Sequence, residues 1–103
     1  MSAQSMPLPA AQALRKLGRD LAVARRKRGI STADMAGRLF VSRDTLWRLE
    51  RGDPSVSMGT LATAAFVLQL HERLAGLAAP ASDELMVFSC ARLDAGRFPR
   101  LTT

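Results

Sequence analysis

The chain has one cysteine (Cys90), one histidine (His71), one tryptophan and no tyrosine. A lone cysteine excludes an internal disulfide framework and a cysteine-based metal site. A lone histidine removes a histidine metal cluster as well. His71 beside Glu72 has no third ligand, and no spacing of Ser, His and Asp suggests a catalytic triad. Neither a metal, nor a cofactor, nor an enzyme activity is therefore expected. Clusters of Val, Ile and Thr are scarce, which argues against a sheet protein. No stretch reaches the roughly 18 apolar residues of a membrane span; the longest run, around LATAAFVLQL, suits a buried helix. The opening MSAQSMPLPAAQ has no basic region followed by an apolar one, so it does not read as a secretory signal. Cysteine usage is compatible with a reducing compartment.

What is present is helix-forming residues and positive charge. The 103 residues, 48% hydrophobic, are enough for one domain with or without tails. Fifteen basic residues stand against nine acidic, a net charge of +6. Seven of the basic residues (Arg15, Lys16, Arg19, Arg25, Arg26, Lys27, Arg28) fall between positions 15 and 28, with Asp20 the single acid among them. This run is either a solvated helix face or a surface facing phosphates.

Along the chain, residues 1–10 hold Pro7 and Pro9 and read as a flexible N-terminal arm. Residues 11–79 read as the folded domain. A first helix is expected from about Ala11 to Arg28, with Leu14, Leu17, Leu21 and Ala24 on its buried face and Gly29 ending it. Ser31 caps a helix over 32–39 that buries Met35, Ala36 and Leu39. Ser42 caps the next, 43–51, ended by Gly52. Ser57 caps a fourth, about 58–69, and a fifth spans about 71–78. Residues 80–103 form a C-terminal extension. Within it Leu85, Met86, Val87 and Phe88 read as a short strand, and a lone strand needs a partner. A second copy of the chain is the nearest candidate, which makes these four residues the expected dimer contact.

The two short helices 32–39 and 43–51, joined by a tight turn, have the helix-turn-helix layout. Ala36 is small where the two helices approach. Val41, Leu46 and Leu49 commit one face of the second helix to the core. The opposite face is then free to enter a major groove.

The segment ISTADMAGRLFVSRDTLWRLERG resembles the Xre/Cro-type helix-turn-helix of phage repressors and bacterial antitoxins, over about residues 14–78. The resemblance rests on Ala36, on Val41–Ser42 and on RLERG at 48–52. It implies an all-α, five-helix, lambda-repressor-like domain, with the short C-terminal strand pairing across a dimer. A narrower similarity, through GDPSVS and the Leu/Ala/Phe-rich helix after it, is to HipB-like antitoxins. These repress their own operon as dimers and bind a HipA-type kinase toxin. The partners implied are a palindromic double-stranded operator, a second copy of the chain and such a toxin, with no membrane. The location implied is the cytoplasm of a bacterium, at the nucleoid.

The family pattern also implies roles for single residues. Arg43, Asp44, Trp47 and Arg48 occupy the base-contacting positions. Thr32 and Ser42, each at a helix start, meet phosphates. Arg25 and Glu50 match an ion pair tying the first helix to the third. A guanidinium at 43 or 48 binds O6 and N7 of guanine together, and Arg48 is alternatively a phosphate clamp. Asp44 either accepts from a cytosine amino group or stabilises the helix terminus. Trp47 lies against the groove wall or packs near Arg43 or Arg51. Two residues depart from the family: Phe40 stands where many members have glycine, and Thr32 where many have glutamine. A left-handed Phe40 is strained, and burial of its ring would offset the strain. Two other functions remain open, a stand-alone regulator without a toxin and a protein-interaction inhibitor with weak DNA binding.

Overall fold

The computed structural model describes residues 5–80. Every element among them is a helix: α1 (Leu8–Lys27), α2 (Thr32–Leu39), α3 (Arg43–Glu50), α4 (Met58–Val67) and α5 (His71–Ala75). The chain up to His71 forms one compact unit, and a second begins at Glu72. The strand expected at residues 85–88 lies outside the described residues.

α1 begins at Leu8, before the expected Ala11. Pro7 occupies its N-cap and Pro9 its first turn, where the missing N–H would have had no intrahelical partner. α2, α3 and α4 start as the sequence predicts. Ser31, Ser42 and Ser57 each accept a hydrogen bond from the backbone N–H three residues on, all at 3.1 Å.

The helices α1 to α4 all end in one way. The residue after the last turn is left-handed at Gly29, Phe40, Gly52 and Gln69. The following N–H then reaches back five residues: Ile30 to Arg25, Val41 to Ala36, Asp53 to Arg48 and Leu70 to Ala65. This is the Schellman closure. It explains why α4 stops at Val67 rather than near residue 69: Gln69 is already turned, at φ 62°.

Phe40 adopts φ 57° and is 94% exposed, so nothing packs on its ring to offset the strain. The left-handed conformation costs a non-glycine residue about 1–2 kcal/mol. Glycine there removes that cost but adds entropy to the unfolded chain. Phe40→Gly is expected to stabilise the fold by a net amount of about 0.5–1 kcal/mol, a rise in Tm of about 2–8 °C. Phe40→Ala keeps the Cβ and should leave the melting curve nearly unchanged. Equal melting of the glycine and alanine variants would show that the turn is not strained.

The core joins Leu21 and Ile30 with Met35, Ala36 and Leu39 of α2, Leu46 and Leu49 of α3, and Ala64 and Leu68. α1 packs against α3, and α2 against both α3 and α4. The buried side of α1 differs from the expected leucine row. Gly18, Leu21, Ala22 and Arg25 are buried, whereas Leu14 and Ala24 are only half-buried and Leu17 is exposed. The reason is a close backbone approach. A Cβ on Gly18 would stand 2.7 Å from the Glu50 carbonyl oxygen, and one on Gly52 would stand 2.5 Å from that of Leu14. Two glycines therefore face each other where α1 passes the end of α3. Gly52 must in addition be left-handed, at φ 78°.

Candidate nucleic-acid interface

Anchoring one face of α3 decides what the other face can do. Leu46 and Leu49 point into the core, and Val41 packs against it from the turn. Arg43, Asp44 and Trp47 are left exposed and Arg48 half-buried. Exposed Thr32, the first residue of α2, lines a hollow of about 320 Å³ together with Arg43, Asp44 and Trp47. Residues from both helices thus meet on one surface.

The side chains on this surface are partly paired with each other. The Asp44 carboxylate lies 3.3 Å from Arg48 Nε in an ion pair one helical turn long. That Nε is shielded from solvent and finds no aligned hydrogen-bond acceptor. The proximity is electrostatic rather than a directed bond. Arg48 Nη2 donates to Thr45 Oγ1 at the long distance of 3.5 Å. The guanidinium is held loosely. Trp47 is 57% exposed, and the Arg51 guanidinium lies 4.5 Å from the centre of its ring system. This is a cation–π contact. The Ser42 hydroxyl serves the fold, capping Thr45 N–H and lying 3.1 Å from Thr45 Oγ1.

Arg25 and Glu50 are brought together behind this surface. Arg25 Nε donates to Glu50 Oε2 at 2.7 Å and Nη2 to Oε1 at 3.3 Å, a forked pair. Arg25 Nη1 also donates to the Ile30 carbonyl at 2.8 Å. One side chain thereby joins α1, the turn before α2, and the end of α3.

Arg51, one helical turn after Trp47, is one of the two arginines that the sequence offered for Trp47 to pack against, and the structure places it there. Reading the sequence missed two other neighbours of the outward face of α3. Arg15 could be placed only once the crossing of α1 over the end of α3 was known. Asp53 accepts from both the N–H and the hydroxyl of Ser55, at 2.8 and 2.7 Å. The Ser55 N–H, then the Ser55 hydroxyl and the positive charge of Arg48, hold its carboxyl below the usual range. This contribution to stability is present above the ordinary carboxylate pKa. It is lost as pH falls through the lowered value.

No group of His, Cys, Asp and Glu that could hold a metal ion occurs among the described residues, and none of their helices is long and apolar enough to cross a membrane. The fold and the outward α3 define a helix-turn-helix protein of the DNA-binding regulator class. A family model described as a helix-turn-helix domain matches residues 16–77. That is more than half of the chain, and the chain belongs to this family. No curated protein and no solved structure matches.

Proposed function

We propose that the protein is a sequence-specific transcriptional repressor that binds a palindromic operator as a homodimer. One observation carries the reading. α3 is fixed to the core through Leu46 and Leu49 and presents Arg43, Asp44, Trp47 and Arg48 outward, beside Thr32 at the start of α2. A helix held in that way fits the major groove, and its arginines read guanine edges. Two half-sites about one DNA turn apart require two such helices, which motivates the dimer. Leu85, Met86, Val87 and Phe88 are its proposed contact. Deleting residues 80–103 should then convert the dimer to a monomer in light scattering.

The narrower reading is that the repressor is also the antitoxin of a HipA-type kinase and controls its own operon. The sequence GDPSVS and the apolar helix after it support this. Co-purification with the product of the adjacent gene tests it, and a neighbour unrelated to kinases would leave a stand-alone regulator.

DNA binding itself is tested by titrating a duplex of the chain's own upstream region at several salt concentrations. The affinity should fall steeply with salt, by about 0.9 logarithmic units per tenfold salt for each phosphate neutralised. Binding that is undetectable, or indifferent to salt, would remove the repressor reading in favour of a protein-interaction inhibitor.

A further inference from the structure

A second hollow, of about 300 Å³, opens between α1 and the C-terminal end of α3. Arg15 lines it from α1, Trp47, Arg48 and Arg51 from α3, and Asp53 and Pro54 from the turn that follows. Three guanidinium-bearing residues therefore border one cavity. Arg48 has acids near it, Asp44 in an ion pair and Asp53 through its charge, whereas Arg15 and Arg51 form no ion pair among the described residues. Arg51 is stacked on Trp47 rather than paired with an acid. Two guanidinium groups without an ion-pair partner, Arg15 and Arg51, are stabilised by an anion and suit the oxygens of a phosphate.

The glycine contact explains why this hollow exists. Gly18 and Gly52 let α1 lie directly against the end of α3, and this sets Arg15 beside Arg51 and Trp47. Trp47 lines both hollows, the one with Thr32 and Arg43 and the one with Arg15 and Arg51. A DNA strand running past α3 would pass from the first to the second.

We infer that the Arg15–Trp47–Arg51 hollow is a clamp for a backbone phosphodiester of the DNA that α3 enters, with the Trp47 ring against the sugar. The clamp rests on the DNA-binding reading and adds α1 to the footprint. Arg15 and Arg51 bind phosphate oxygens and carry no base preference. Their contribution is affinity and register, shared by every sequence.

The test uses the full chain and a mixed-sequence DNA duplex. Trp47 is the one tryptophan in a chain without tyrosine and lines both hollows, so intrinsic emission reports DNA reaching this surface, and the Arg15 variants isolate the second hollow. Saturating the wild type with duplex should shift that emission. Arg15→Gln alters an exposed residue and should leave the melting curve unchanged. It should lower the salt slope of duplex binding by about 0.9, the value for one lost phosphate contact. Arg15→Glu should weaken binding further. Duplex binding with an unchanged salt slope in Arg15→Gln would overturn the clamp, whatever the emission does, and leave the DNA-binding reading intact. Failure of the wild type to bind duplex at all would overturn both. An emission shift with inorganic phosphate but none with duplex would make the hollow a free-anion site and overturn its assignment to DNA.

Discussion

Arg25→Ala is expected to destabilise the fold by about 3–5 kcal/mol, the usual consequence of removing one partner of a buried ion pair. Small domains have about 5–15 kcal/mol in total, so the variant should be close to unfolding. Three effects act together. Arg25 is only 6% exposed, and its loss leaves Glu50 largely buried with no counter-charge. Glu50 is the last residue of α3, at the negative end of the helix dipole, where an acid is unfavourable without a cation beside it. The Ile30 carbonyl also loses its donor. Arg25→Lys should rescue little, because an ammonium cannot reproduce the forked pair and the Ile30 bond in one planar group. The double variant Arg25→Met, Glu50→Leu should recover much of the loss, since no buried charge remains. Urea unfolding measures this as a lower midpoint at unchanged slope. A shift of less than about 1 kcal/mol for Arg25→Ala would place the pair with screened surface pairs.

That pair also shows where the sequence was legible and where it was not. Signals confined to a few neighbouring residues read correctly. Ser31, Ser42 and Ser57 start helices because a side-chain oxygen three residues before a free N–H is a local event. Gly29 and Gly52 end helices because glycine accepts the left-handed turn. Leu46 and Leu49 fall on one helical face, and that face is the buried one. What depended on distant segments did not read. Leucine spacing placed Leu17 inside, yet the close passage of α1 over α3 required Gly18 there and left Leu17 exposed. A glycine in the middle of a helix costs about 1 kcal/mol relative to alanine, so Gly18 was itself a sign of close approach. For Phe40 the family resemblance raised a left-handed turn as a condition, with a buried ring to offset its strain; the turn is left-handed but the ring is exposed, because exposure is set by what does not pack there. Arg15 joins Trp47 and Arg51 only through the same crossing.

On the recognition face, Arg48→Ala should weaken binding to the operator by about 5–150-fold, the equivalent of one bidentate guanine contact of about 1–3 kcal/mol. It should cost the fold little, because the pair it breaks is at the surface. Arg48 is 39% and Asp44 74% exposed at the side chain. Such helical pairs contribute about 0.3–0.5 kcal/mol. The loose hold on Arg48 favours the proposed groove contact. Its Nε faces Asp44 without an aligned bond, and its Nη2 bond to Thr45 is long, so little is given up when guanine replaces them. Asp44 then has two effects of opposite sign. Beside DNA it repels phosphates, and while paired it restrains Arg48 from binding them indiscriminately. Asp44→Ala should therefore strengthen binding to mixed-sequence duplex and narrow the ratio between operator and mixed sequence. Arg48→Ala should narrow that ratio too, but by weakening the operator complex. Because the two residues share one ion pair, their effects should not add: the double variant should differ from the sum of the singles. Strict additivity, with operator affinity unchanged in Arg48→Ala, would mean that neither residue reads bases. The contact would then pass to Arg43, which stands exposed at the first position of α3.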